Sequence, residues 1–259
     1  MKAPQEALRD DILVADEFSI WRFVLNDLLT NGYVVQERDT GALAIVDPGA
    51  RADDLLAAAE SWGGDARWIL VTHLHPDHCA EATRVRDESG GQLVGPPGGP
   101  FKPDRPVAGG EWLDFGAHEI LVSATPGHSP ESVSYQIGQN VFVGDLVFRL
   151  GSGRTDGPGA STDDLFRTIR EVLAPLPEDI ALWCGHGPPS TVGEELAGNP
   201  FWRIAVEDAG NPIDEAMYRG REVAVLAWAD DYDGGRKALI DVGEGRLLIV
   251  PGSQLEQPR

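Results

Sequence analysis

Thr72-His73-Leu74-His75-Pro76-Asp77-His78-Cys79 decides how this chain is read. Four residues able to bind a metal, His73, His75, Asp77 and His78, fall within six positions, directly after the apolar run Trp68-Ile69-Leu70-Val71. That run predicts a short buried strand, and Cys79 to Asp87 predicts the helix that follows. The four side chains are therefore expected on a strand-to-helix turn, where sites are commonly built. His73 and His75 alternate, so an extended backbone aims both imidazoles at one face. Asp77 and His78 follow as the chain turns and can point to a second position nearby. One short loop can serve two metal ions.

The other histidines follow the same habit. Of six in the chain, three lie in this loop. Two more sit in loops of similar character, Thr125-Pro126-Gly127-His128-Ser129 and Cys184-Gly185-His186-Gly187, and only His118 lies elsewhere. Between these loops, Val141-Phe142-Val143-Gly144-Asp145 reads as an apolar strand ending in a carboxylate, a natural place for a bridging ligand.

The ordered set His73, His75, Asp77, His78, then His128, Asp145 and His186, resembles the His-x-His-x-Asp-His motif and later ligands of the metallo-β-lactamase superfamily. The resemblance implies an α/β fold, a four-layer αββα sandwich with metals at one edge between two sheets. It implies that His73, His75 and His128 hold one metal, that Asp77, His78 and His186 hold the other, and that Asp145 bridges them. Two divalent transition metals are expected, zinc first, with iron and manganese open because mixed N/O ligands do not choose among them. Asp47, in Asp47-Pro48-Gly49, resembles the family's aspartate near the metal loop and would hold the loop or a ligand in place. A plain turn aspartate is the competing reading.

Composition narrows the partners. A chain of 259 residues, 42% hydrophobic, is ample for one sizeable core and a small appendage. Its net charge of −21 would repel phosphate backbones, so no nucleic-acid partner is expected, which weighs against the superfamily's nucleases. No apolar run approaches the ~20 residues needed to span a membrane. Met1 to Asp11 lacks an apolar signal segment. Cys79 and Cys184 are too few for a disulfide framework, and each reads either as a thiol near the metals or as a small buried side chain. A cytoplasmic enzyme acting on a small molecule is the simplest picture.

Strands are expected at Ile12 to Val14, Trp21 to Leu25, Tyr33 to Gln36 and Ala42 to Val46, then at Trp112 to Phe115, Glu119 to Ala124, Ser132 to Ile137, Val141 to Val143 and Ile180 to Cys184. Helical spacing covers Ala52 to Trp62 and Thr162 to Leu173. The chain is expected to divide into a catalytic domain over residues 1–208 and a β-rich extension over 209–259. In the extension, Glu222 to Trp228, Lys237 to Val242 and Leu247 to Val250 read as three strands. A meander this small needs a partner surface. It is expected to supply architecture rather than chemistry, packing on its own domain or on a second copy, with a homo-oligomer through the extension the preferred use.

Gly151-Ser152-Gly153-Arg154-Thr155-Asp156 and Asn199-Pro200-Phe201 look like the glyoxalase II-like hydrolases and their relatives, the persulfide dioxygenases. The helical C-terminal region of glyoxalase II has no counterpart here. The Cys-Gly-His context of His186 tips the balance toward a two-metal hydrolase acting on a thioester, or a related ester or lactone. The attacking group would be a metal-bound hydroxide oriented by Asp77 as the catalytic carboxylate. The alternative is a mononuclear non-haem iron persulfide dioxygenase. Arg154 is read either as a grip for a substrate carboxylate or as an internal partner of Asp156.

Overall fold

The computed structural model describes residues 12–14, 17–63, 66–207 and 210–257. It contains two compact units. One runs up to Ser123 and takes in Val133–Gly138; the other comprises Ala124–Ser132 and the chain from Gln139 onward. The boundary expected at 208/209 lies outside the described residues, as does the segment read for a signal peptide.

In the first unit, Ile12–Val14, Phe18–Val24, Asn31–Glu37, Leu43–Val46, Ala66–Leu70, Gln92–Gly95 and Arg105–Pro106 pair in chain order as a seven-stranded sheet. The first four are antiparallel neighbours, and pairing becomes parallel from Leu43–Val46 onward. Leu43–Val46 is buried throughout, the continuous apolar run of a strand covered on both faces. Helix Ala52–Ser61 connects it to Ala66–Leu70 and buries Leu55, Ala58 and Ala59 among Leu43, Ile45 and Ile69. Asp47 and His73 follow the carboxyl ends of these two parallel strands, the edge at which open α/β sheets place their ligands.

The helix expected from Cys79 to Asp87 is two pieces, Pro76–Cys79 and Ala82–Ser89. Pro76 opens the first, where its fixed φ suits a helix start. Between them the Glu81 amide bonds the Pro48 carbonyl at 3.0 Å, so the backbone leaves its own helix there to meet a neighbouring loop. A hairpin of Trp112–Phe115 and His118–Ala124 has Val133–Ile137 beside it. Tyr135 is fully buried, and its hydroxyl donates to the Val71 carbonyl at 2.8 Å.

In the second unit, Asn140–Gly144 pairs in parallel with Ala181–Cys184, which pairs antiparallel with Ser190–Thr191. The connection carries helix Thr162–Thr168, begun by Ser161 Oγ accepting from the Asp164 amide. The rest of the helix expected to reach Leu173 widens to a π-helical turn, Ile169–Leu173. The extension is a five-stranded sheet rather than three strands. Asp214–Tyr218 and Leu255–Glu256 join Arg221–Asp230, Arg236–Asp241 and Leu247–Pro251. Asp214 and Glu215 are exposed, and they mask the apolar pattern of the first of these strands.

A bulge between Val225 and Ala227 lets one long strand serve two cores. Val223 and Val225 pack with Ala216, Tyr218, Ile240 and Val250, while Ala227 and Ala229 join Leu239 and Ile249 among Val147, Phe148 and Trp202. Val223, Val225, Leu239, Ile240, Ile249 and Val250 of the extension are thereby buried within the chain.

The Asn-Pro-Phe segment is a cap. Asn199 Oδ1 accepts from the Phe201 and Trp202 amides at the start of helix Pro200–Glu207, while its Nδ2 donates to Gly151 O at 2.9 Å and to the buried Glu195 at 2.6 Å. Glu195 also accepts from Ser190 and the Leu150 amide. Loss of a cap together with partners for buried polar groups predicts that Asn199→Ala destabilises the protein by about 2–4 kcal/mol. Urea unfolding monitored by tryptophan fluorescence measures this; a change under about 0.5 kcal/mol would show that Asn199 caps nothing that matters.

Candidate metal centre

The first unit contributes a loop whose geometry is set by one buried carboxylate. Asp47, 1% exposed, adopts a left-handed backbone (φ 50°) just past its strand. Its Oδ1 accepts from the Thr72 amide at 2.8 Å, and its Oδ2 accepts from Thr72 Oγ1 at 2.7 Å and lies 2.9 Å from His78 Nδ1. A carboxylate only accepts, so His78 carries its proton on Nδ1 and presents the Nε2 lone pair. Thr72 Oγ1 spends its hydrogen on Asp47, and it lies 3.0 Å from His73 Nδ1. His73 must then donate from Nδ1, and its Nε2 is also a lone-pair donor.

The unprotonated His73 Nε2 lies 3.1 Å from His75 Nδ1, and His78 Nε2 lies 3.5 Å from Asp77 Oδ2. Asp77 Oδ2 accepts from Thr30 Oγ1 at 2.9 Å. Gly49 makes the loop's position possible, because a Cβ there would fall 1.4 Å from the Asp77 carbonyl oxygen.

The second unit supplies a carboxylate between two imidazoles. Asp145 Oδ2 lies 3.5 Å from His128 Nε2 and 3.4 Å from His186 Nε2. All three residues are buried. His128 Nδ1 donates to the Arg154 carbonyl at 2.9 Å, which again leaves Nε2 as the lone-pair nitrogen. The loop that carries this carbonyl is fastened to the extension: Thr155 N donates to Ile249 O at 2.8 Å, and Ile249 N to Thr155 Oγ1 at 2.7 Å.

These donors suit a transition metal. Two ligands each about 2.0–2.1 Å from a tetrahedral zinc stand roughly 3.3–3.4 Å apart, close to the separations within each unit. Imidazoles held through Nδ1 by a carboxylate, a hydroxyl or a carbonyl are the usual support of metal-ligating histidines. Within the first unit, Asp47, His73 and His78 also bring three ligand atoms within 4.8 Å of one another. Asp47 already serves Thr72 and His78.

A sequence profile of the metallo-beta-lactamase superfamily matches residues 25–186, more than half of the chain. It belongs to the metallo-beta-lactamase superfamily. Hydroxyacylglutathione hydrolase GloC of Haemophilus influenzae is 31% identical over 182 residues, 61% of this chain and 86% of that protein. Among solved structures, TTHA1623 in a di-iron-bound form has a TM-score of 0.61 at 32% identity, covering 70% of this chain and 99% of that one. ETHE1 from Myxococcus xanthus has a TM-score of 0.66 at 26% identity, covering 72% and 89%. The metallo-beta-lactamase family brings its fold class and its chemistry, metal-dependent hydrolysis. Almost all of TTHA1623 is covered by 70% of this chain, so the chain carries segments beyond that relative.

The remaining sequence candidates have plain positions. Arg154 donates to both oxygens of Asp156, at 2.6 and 2.8 Å, the internal pairing weighed against a substrate grip. Cys79 is buried, and burial together with Asp47 and Asp77 pushes its thiol up to about 12. Cys184 is buried as well. His118 packs edge-on against Phe18, 4.8 Å between centroids. Thr30, Thr72 and Tyr232 were not found from the sequence. Thr72 had a signal, as the polar residue between a buried strand and the first histidine; Thr30, 47 positions from Asp77, had none.

Gly153 offers a test of this packing. A Cβ there would sit 1.9 Å from Asp145 O and 2.9 Å from His128 Nδ1, whereas one at Gly157 meets nothing within 4 Å. Overpacking of this kind predicts that Gly153→Ala lowers stability by about 1–3 kcal/mol and shifts the His128 ring resonances in NMR spectra. Gly157→Ala should stay within about 0.5 kcal/mol of the parent protein. Equal behaviour of the two variants would contradict the close approach.

Proposed function

We propose that this protein is a dinuclear metal-dependent hydrolase of thioesters, with related esters and lactones as variants of the same chemistry. The observation that carries the reading is the placement of Asp145 Oδ2 within 3.5 Å of two imidazole nitrogens, where one carboxylate oxygen can serve two cations. His73, His75 and His128 would hold one metal, and Asp77, His78 and His186 the other, with Asp145 shared. Zinc is our first choice and iron or manganese the alternatives. When bound, the metals supply Lewis acidity and a water acidified toward neutrality.

The chain's own residues do the rest. Asp77, its side chain 20% exposed, accepts a hydrogen from the attacking water and so orients it. Thr30 Oγ1 fixes that carboxylate by donating to Oδ2. Asp47 keeps the His78 and His73 rings in one tautomer and plane. A thiol has a pKa of about 8.5, so a thiolate can depart without a proton from the protein, and the scheme needs no general acid. Similarity to hydroxyacylglutathione hydrolases supports a thioester over other acyl compounds. Among the described residues no helix is long and apolar enough to cross a membrane. We place the protein in the cytoplasm, in keeping with its two free cysteines, and give it a small-molecule substrate. Residues 1–208 would form the catalytic part.

Metal analysis of purified protein beside assays with a glutathione thioester and glutathione persulfide tests this reading. Close to two metals per chain and thioester turnover without oxygen uptake are expected. One iron per chain with oxygen consumption on the persulfide would replace it with the persulfide dioxygenase. Asp145→Asn should weaken both metals and lower kcat/KM by more than roughly 100-fold, while His186→Ala should mainly empty one site. Normal metal content in Asp145→Asn would remove the bridge assignment.

A further inference from the structure

The turn between the extension's strands Arg221–Asp230 and Arg236–Asp241 carries Tyr232, whose ring lies face to face on His186, with centroids 4.4 Å apart and planes 15° apart. Phe148 meets both rings edge-on, at 5.4 Å from His186 and 5.1 Å from Tyr232. Gly187 permits the approach: it has φ 73°, and a Cβ there would come 3.0 Å from Tyr232 Cβ. The turn is anchored by Lys237, whose Nζ bonds Asp231 Oδ1 at 2.7 Å and lies 4.3 Å from the Phe148 centroid. The Lys237 and Asp231 side chains are only 7% and 10% exposed.

Beside this cluster an open cleft of about 700 Å³ has His186 in its wall, together with Phe148, Leu150, Trp228 and Tyr232. Its size falls in the range of small-molecule sites, roughly 300–1,000 Å³. Of the charges that line it, Arg149 pairs with Glu194 at 3.0 Å and Asp231 with Lys237 at 2.7 Å, while Arg236, outside the lining, lies over Trp228 at 4.5 Å. Asp230 and Asp231 line it as well. A negatively charged arm would meet the Asp230 carboxylate and a guanidinium already paired with Glu194, whereas a hydrocarbon arm would meet aromatic faces.

We propose that this cleft beside His186 binds an uncharged, apolar arm of the substrate, so that the C-terminal extension selects thioesters bearing a hydrocarbon or aromatic group over those of the doubly carboxylated glutathione. The proposal rests on the hydrolase reading for its chemistry, and Tyr232 is its main specificity residue.

Two substrate series test it with the metal-loaded full chain: N-acetylcysteamine thioesters from acetyl to hexanoyl, and thioacetates from S-ethyl to S-hexyl. Each buried methylene is worth a few-fold, so kcat/KM should rise at least about tenfold along one series and exceed that for acetylglutathione. Tyr232→Ala and Trp228→Ala should flatten the rise. If either variant fails to fold, Leu150→Glu, at a position 40% exposed, should flatten it by placing a charge in the cleft. Flat series in the parent protein, or a rise untouched by these variants, would overturn the proposal. No turnover of any thioester would instead sink the hydrolase reading. In that event calorimetric binding of 4-phenylbutan-2-one, a neutral ketone with an aromatic arm, decides the cleft. Binding weakened at least about fivefold in Tyr232→Ala or Leu150→Glu supports it, and absent or unchanged binding refutes it.

Discussion

The contacts of Asp47 are what the candidate metal loop depends on. One buried carboxylate bonds the Thr72 amide, accepts the Thr72 hydroxyl and faces His78 Nδ1. Through the hydroxyl it also settles the tautomer of His73. Holding a non-glycine residue at φ 50° costs roughly 1–3 kcal/mol, less for aspartate than for bulkier side chains, and three buried hydrogen bonds outweigh that. The conformation turns the carboxylate toward the neighbouring parallel strand. Pro48 and Gly49 then lead into the helix, and only glycine leaves room for the Asp77 carbonyl. Sequence, strain and ligand orientation meet in Asp47-Pro48-Gly49.

Much of this was legible beforehand. The His-x-His-x-Asp-His run marks itself, and the later His128, Asp145 and His186 each stand beside a glycine after an apolar strand. Parallel strands such as Leu43–Val46 show as unbroken apolar runs because both of their faces are covered. What stayed hidden depends on distance along the chain. Nothing local to Thr30 announces a bond to Asp77, and nothing in Asp230-Asp231-Tyr232-Asp233 announces a ring contact with His186. Strand Asp214–Tyr218 escaped because its first residues are charged and exposed.

The Gly-x-Gly-Arg-Thr-Asp and Asn-Pro-Phe segments show how a family signature divides into parts with different work. Gly153 makes room for Asp145 and His128, the Arg154 carbonyl fixes a ring, and the Arg154 side chain goes to Asp156. Asn199 caps a helix and holds Glu195, whose carboxyl burial pushes up while Ser190, Leu150 and Asn199 hydrogen bonds pull it down.

The reciprocal bonds between Thr155 and Ile249 also bear on how this protein opens. They join the loop behind His128 to a strand of the extension as if the two were rungs of one ladder. Ile249 is fully buried in the second unit's core, so neither amide can reach solvent by a local flicker of the loop alone. Exposure of the Thr155 and Ile249 amides to hydrogen exchange then requires the loop and the extension to open together, as one cooperative segment. The order of the His128 ring is in this way coupled to a stretch of chain more than a hundred residues further on.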